Sequence, residues 1–237
     1  MVSIYQPEKG YRYNSDTLFL YDFISKLLSS KYRPNGKILD IGSGSGILGI
    51  LLKRDFPTLQ LYSVEKQLFF YKLTIKNSEV NGIENNPIHS DFLNTSFIQE
   101  FEYIVSNPPF YSSAVIQSEN ENINIARYNH HLPIDKFFKR VSQSLKPKGY
   151  FLFCYDSKQL PNLIYSLSEN RFQVERIRFV YPSIEKIASL VMIQARKGSK
   201  SPTQIEPPLI NFSDEVKRIY KKANTWTINF KGEIIES

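Results

Sequence analysis

One cysteine, Cys154, and three histidines are the whole supply of thiol and imidazole ligands in 237 residues. A lone thiol cannot close an intramolecular disulfide, and so thin a supply argues against a structural zinc site. No apolar run is long enough to cross a bilayer, which takes about 20 residues. Met1 to Gly10 is polar and lacks the apolar stretch of a secretory signal. No internal repeat, low-complexity tract or compositional break marks a domain boundary. The expectation is a cytoplasmic chain with no membrane segment and no metal, built as a single domain over 1–237. It carries an N-terminal helical extension over 1–34, an insert over 111–132 and a basic tail over 197–237.

What is present suits a chain with a real core: 41% of residues are hydrophobic and 14% aromatic. Thirty Lys and Arg against 23 Asp and Glu leave a net charge of +7. That balance fits a polyanionic partner, most simply a nucleic acid, or plain solubility. Met1 to Tyr13 reads as an irregular lead-in. Asn14-Ser15-Asp16 then offers capping side chains, and Leu20, Phe23, Ile24, Leu27 and Leu28 predict a helix over 17–29. Strands are predicted at 37–41, 59–64, 87–90 and 101–105, with helices over 46–54 and 67–79. A helix over 136–145, a strand over 150–155 and a helix over 157–169 follow. Two β-rich runs, 173–181 and 187–195, flank Pro182 and Ser183 and predict an antiparallel closing pair, with a short helix near 213–222. This alternation predicts an α/β fold. The sheet should be Rossmann-like, twisted and mostly parallel, with seven strands, an antiparallel last strand and helices on both faces.

The chain is organised around Lys37-Ile38-Leu39-Asp40-Ile41-Gly42-Ser43-Gly44-Ser45-Gly46, an apolar run closing on an acid and a glycine turn. Ile47, Leu48, Ile50, Leu51 and Leu52 then fit a helix. Glycine takes positive φ and lets a ligand lie against the main chain. Asp40, Glu65, Asp91 and Asn107 stand at the ends of successive predicted strands, and an open α/β sheet binds ligands at the carboxyl ends of its strands. Glu65 lies where a carboxylate can accept both hydroxyls of an adenosine ribose, and Asp91 can accept from an adenine amino group. The competing reading of each is a cap or a surface acid. A dinucleotide fingerprint wants its third glycine two residues after the second. The alternating glycines here match instead the Asp-x-Gly-x-Gly-x-Gly loop of S-adenosylmethionine methyltransferases. The candidate cofactor contacts are therefore Asp40, Gly42, Ser43, Gly44, Gly46, Glu65, Asp91 and Asn107.

Asn107-Pro108-Pro109-Phe110 narrows the chemistry. Two prolines remove two backbone donors and fix two φ angles, so the turn is stiff. The Asn107 amide and the Pro108 carbonyl offer two acceptors for a planar NH2 group, holding it while positive charge builds on the attacking nitrogen. Phe110 gives a flat face for stacking a base. An exocyclic amine needs no strong base, because its proton can leave late. Asn107, Pro108 and Phe110 are the candidate catalytic residues, and Phe110, Tyr111 and Arg127 the candidate substrate contacts. The insert that follows, Tyr111 to His131, is too long for an idle loop. Its His130 and His131 read as surface residues. Tyr11 and Tyr13 could cover a cofactor, stack a base or pack in the core. Arg196, Lys197, Lys200, Lys217, Arg218, Lys221 and Lys222 make the C-terminal part basic and suit an RNA backbone.

These motifs make the chain resemble the class I methyltransferases of planar amines. Within them it is similar to the bacterial tRNA adenine-N6 methyltransferase family that acts on a valine tRNA beside the anticodon. The likeness runs through Gly10-Tyr11-Arg12-Tyr13-Asn14-Ser15-Asp16-Thr17-Leu18-Phe19-Leu20, the glycine loop, Glu65, Asp91, Asn107 to Phe110 and Ala126-Arg127-Tyr128. The resemblance implies S-adenosylmethionine as cofactor, RNA, most simply tRNA, as partner, and adenine N6 as acceptor. Phe110 stands where that family usually has Tyr. Guanine-N2 methyltransferases of rRNA carry Asn-Pro-Pro-Phe as well, and protein glutamine methyltransferases carry Asn-Pro-Pro-Tyr, so those acceptors stay open.

Overall fold

The computed structural model of the chain describes residues 1–8, 10–31, 33–108 and 133–230. In chain order the first elements are β1 (Val2–Pro7), α1 (Ser15–Ser29), β2 (Gly36–Ile41) and α2 (Ile47–Asp55). β3 (Leu59–Glu65), α3 (Leu68–Val80), β4 (Asn85–His89) and β5 (Phe101–Ser106) follow. The next run is α4 (Ile134–Ser144), β6 (Leu145–Asp156), α5 (Leu160–Glu169), β7 (Phe172–Tyr181) and β8 (Leu190–Lys197). β9 (Gln204–Ile205), β10 (Leu209–Ile210), α6 (Asp214–Ala223) and β11 (Thr225–Phe230) complete them.

Seven long strands lie in the order β7-β8-β6-β5-β2-β3-β4. β4, β3, β2, β5 and β6 run parallel, and β8 runs antiparallel to both β6 and β7. The expected class is therefore met, with one addition. The two-residue strands β9 and β10 both pair with β7, so among the described residues the sheet has nine strands. Arg178, 4% exposed, pins that added strip: its guanidinium donates to Pro207 O at 3.0 Å and to Glu215 at 2.7 Å.

Side-chain alternation divides the core in two. In β6, Leu152 and Cys154 face the cluster built by α1, α2 and α6, while Phe151, Phe153 and Tyr155 face the one built by α4 and α5. β8 splits the same way, Leu190 and Met192 against Val191, Ile193 and Ala195. A period of two, apolar on both faces, is what a strand covered by helices on each side requires. Phe151 and Phe153 stack at 4.4 Å between ring centroids, and each buried ring contributes roughly 2 kcal/mol by leaving water. α1 starts where Asn14 accepts the Asp16 N–H at 3.1 Å, with Asp16 in its first turn and Lys26 in its last.

The N-terminal lead-in is not irregular. Val2–Pro7 is a strand, paired in parallel with β11 from Val2↔Thr225 to Pro7↔Phe230. Val2, Ile4 and Gln6 are buried, and Ser3 and Tyr5 face outward. The far edge of β1 is completed by side chains. Asn77 of α3 accepts the Tyr5 N–H at 2.8 Å and donates to Tyr5 O at 3.0 Å. Asn81, one turn on, does the same for Ser3 at 2.9 and 2.7 Å. Two amides one helical turn apart thus stand in for a neighbouring strand. Among the described residues no helix is long and apolar enough to cross a membrane, and no group of three or more His, Cys, Asp or Glu could hold a metal ion.

Candidate active site

The loop between β2 and α2 turns on three left-handed glycines, Gly42, Gly44 and Gly46, at φ of +66°, +56° and +79°. At Gly46 a Cβ would also press on Thr74 at 3.1 Å, so the last glycine is needed for packing against α3. At Gly42 a Cβ would meet nothing within 4 Å, so bare backbone faces open space. α3 grips the loop from below. The Thr74 hydroxyl donates to Gly44 O at 2.8 Å, and Asn77 donates to Ser45 O at 2.8 Å. Asn77 thereby ties the glycine loop and β1 to one side chain, itself fully buried.

Two carboxylates flank this loop, both buried. Asp40 accepts the Gly49 N–H at 3.1 Å. Burial first, and the nearby Glu65 charge as well, push its carboxyl up to about 7 against the pull of that N–H. Glu65 accepts the Gly44 N–H at 3.0 Å and the Gln67 N–H at 2.8 Å. Burial raises its carboxyl too, and the backbone N–H groups oppose the rise. The Lys66 N–H is a third backbone partner, so of the four lone pairs on the two Glu65 oxygens one is left for a ligand hydroxyl.

β5 brings Asn107 to the same place. The Ser106 hydroxyl donates to Ile41 O at 2.9 Å, which ties the end of β5 to the start of the glycine loop. Asn107 donates from Nδ2 to Thr17 Oγ1 at 3.0 Å and accepts on Oδ1 from the Cys154 thiol at 3.1 Å. Tyr11, Tyr13, Thr17, Asp40, the loop from Gly42 to Ser45, and Asn107 line one crevice of about 340 Å³, open to solvent. Tyr13 is held from the far end of the chain: its hydroxyl lies 3.2 Å from Thr225 Oγ1 and 3.4 Å from Thr227 Oγ1, and its N–H donates to Gln6.

Of the predicted cofactor contacts, Asp40, Gly42, Ser43, Gly44 and Asn107 meet in this crevice. Gly46 packs beneath it, and Glu65 holds the loop from behind. Asp91 stands apart: it caps the turn Phe92–Asn94 through the Leu93 N–H at 3.0 Å and pairs with Lys66 at 3.0 Å. Pro108 is buried beside Asn107. Phe110, Tyr111, Arg127, His130 and His131 lie outside the described residues. Of the basic C-terminal residues, Lys197 donates to Ser142 O and Leu145 O, Lys217 pairs with Asp214 and Lys222 with Asp22. Thr17, Thr74, Asn77 and Cys154 carried no role in the sequence reading. Thr17 had a signal in Asn14-Ser15-Asp16-Thr17, while Asn77 and Cys154 had none, because their partners are far along the chain.

The arrangement can seat a polar ligand against exposed backbone and present an amide to a second group across it. A family model described as "Methyltransferase small domain" matches residues 20–162. A tRNA1(Val) (adenine(37)-N6)-methyltransferase of Porphyromonas gingivalis is 29% identical over 127 residues, which make up 49% of this chain and only 49% of that relative. One of the same name from Vibrio campbellii is 24% identical over 197 residues, 82% of this chain and 80% of that one. A 16S rRNA N2 methyltransferase of T. thermophilus, solved in complex with AdoMet and guanosine, superimposes with a TM-score of 0.56 at 22% identity. That superposition covers 80% of this chain and 45% of that one, and it shows a common fold.

Proposed function

Because the chain belongs to the methyltransferase small domain family, we propose that it methylates an exocyclic amine of RNA, adenine N6 in a tRNA anticodon loop, in the cytoplasm. One observation carries the reading: the Asn107 amide and the bare glycine loop line the same crevice. Asp40, Gly42, Ser43, Gly44 and Glu65 would hold S-adenosylmethionine, which supplies an electrophilic methyl group on a sulfonium. The open space at Gly42, the buried Asp40 carboxyl and the one Glu65 lone pair left by its three backbone partners fit such a ligand. Asp91 would serve at the rim, sharing its carboxylate with Lys66.

Asn107 and the Pro108 carbonyl accept the two hydrogens of the incoming NH2 and stabilise the charge that grows on its nitrogen. The proton then leaves to solvent, so no histidine or thiolate base is required. Phe110 stacks the extruded base, and Tyr111 and Arg127 contact the RNA around it. Extrusion costs a few kcal/mol, and less from a loop than from a duplex. The names of these tRNA1(Val) relatives support a tRNA adenine. Phe in the last place of Asn-Pro-Pro-Phe, together with the guanosine-bound neighbour, supports guanine N2 of rRNA as the second reading.

The test is incubation of purified protein and S-adenosylmethionine with RNA from cells lacking the gene, followed by nucleoside mass spectrometry. N6-methyladenosine in the tRNA fraction is the expected product. N2-methylguanosine in rRNA selects the second reading, and no methylated nucleoside refutes both. Asn107→Ala should abolish turnover while leaving cofactor affinity nearly intact; loss of that affinity would contradict the assigned role.

A further inference from the structure

An amide has two ends of opposite character, and only one of them can receive an incoming amine. If Asn107 presented its NH2 to another NH2, donor would face donor and the acceptor base would be repelled. The crevice must therefore fix which way round the Asn107 side chain lies. This inference rests on the reading of Asn107 as the amine ligand.

We infer that Cys154 and Thr17 are positioning residues that set the orientation of the Asn107 amide, so that Oδ1 faces the acceptor. Cys154 lies in β6 with no exposed surface, and its Sγ is 3.1 Å from Asn107 Oδ1. A thiol is a weak donor through S–H and a weak acceptor through sulfur, and here the S–H donates to Oδ1. Burial and the Asp16 charge hold Cys154 well above the usual thiol range, so the S–H stays on the sulfur. With the amide oxygen against the thiol the buried S–H has an acceptor; with the amide nitrogen there the S–H would lose this acceptor, so the oxygen is preferred. Thr17 can donate or accept, so it does not choose the orientation. Once Cys154 has chosen, the Thr17 hydroxyl accepts Nδ2–H at 3.0 Å and locks the choice. Oδ1 then retains one lone pair for an acceptor amine, and Nδ2 retains one hydrogen. Thr17 itself lines the crevice, and Cys154 sits behind Asn107, out of reach of any ligand.

The test uses four variants of the full chain. Thr17→Val and Cys154→Ala each delete one hydrogen bond, and Thr17→Ser and Cys154→Ser restore an acceptor and a donor. With in vitro transcribed tRNA and saturating S-adenosylmethionine, each deletion should lower the single-turnover rate constant about fivefold, as loss of one neutral hydrogen bond implies. Cofactor affinity by calorimetry should not move, and both serine variants should recover most of the rate. A readout free of activity is the side-chain 15N–1H signal of Asn107, identified by its disappearance in Asn107→Ala. Its NH2 protons should exchange slowly with solvent in the wild type, lose that protection in Thr17→Val and keep it in Cys154→Ser. Unchanged rates in both deletions, or an Asn107 signal identical in all variants, overturns the inference. A wild type that methylates no RNA yet shows the protected signal removes the proposed function and leaves the positioning roles standing.

Discussion

Asn77 joins two parts of the molecule that no local sequence pattern connects, and its removal should be felt in both. Asn77→Leu nearly preserves volume and deletes three hydrogen bonds: from Tyr5 N–H, to Tyr5 O and to Ser45 O, at 2.8, 3.0 and 2.8 Å. At about 1 kcal/mol net for each, the loss is roughly 3 kcal/mol, and the three backbone groups left without partners push it upward. For a chain of this size that lowers Tm by about 6–12 °C. Because one of the bonds reaches the glycine loop, affinity for S-adenosylmethionine should fall as well. Asn81→Leu is the internal control. It frees Ser3 in the same way and also gives up the bond its Nδ2 donates to Asn77 O at 2.7 Å, but it touches nothing in the loop, so it should cost about 2–3 kcal/mol and leave cofactor affinity alone. Scanning calorimetry gives the first number and isothermal titration the second. If Asn77→Leu stays within about 1 kcal/mol of the wild type, or if the two variants weaken cofactor binding equally, the clamp does not carry the coupling assigned to it.

Asp40→Asn keeps an oxygen for the Gly49 N–H and removes a charge whose carboxyl stands at about 7 rather than 3.8. The folded wild type retains a proton that the unfolded chain releases, so this group's favourable contribution is full below 3.8 and lost as pH rises through about 7. The complete loss is roughly 4 kcal/mol, and denaturant titrations should show the variant's advantage growing from about pH 4 and levelling above about pH 7. A difference that does not vary with pH refutes the burial argument. Gly42→Ala and Gly198→Ala share φ of +66° and open space, and each should cost about 1 kcal/mol of stability. Only the first lies against the crevice, so only it should weaken S-adenosylmethionine binding, by about tenfold or more; equal affinities would move the ligand elsewhere.

The parallel sheet was legible because each of its strands signals locally. Leu59 to Glu65 alternates and ends on an acid, and the glycines after Ile41 punctuate the turn. Helix ends were legible where a cap stands beside them, as Asn14 does for α1. β1 was not, because six residues ending in Pro7 say little until Thr225–Phe230 lies beside them, and the Asn77 and Asn81 amides that close its other edge look in sequence like ordinary helix surface. β6 begins at Leu145 rather than 150, but Lys146-Pro147-Lys148-Gly149, which reads as a turn, bulges out between the Phe101↔Leu145 and Tyr103↔Tyr150 pairs, with Lys148 at φ +61°. Within the crevice, residue type revealed the glycines, Asp40 and Asn107. It could not reveal that Asp91 is engaged by Leu93 and Lys66, or that a buried thiol touches Asn107, because both facts depend on neighbours fixed only by the fold.

The pairing of β1 with β11 also imposes an order in time. Translation delivers Val2–Pro7 more than two hundred residues before Thr225–Phe230. Until that late strand leaves the ribosome, the first one has no hydrogen-bonding neighbour along one edge, and Tyr13 has neither Thr225 nor Thr227 to steady its hydroxyl. The Tyr13 side of the crevice is thus completed only after Thr225–Phe230 has been made.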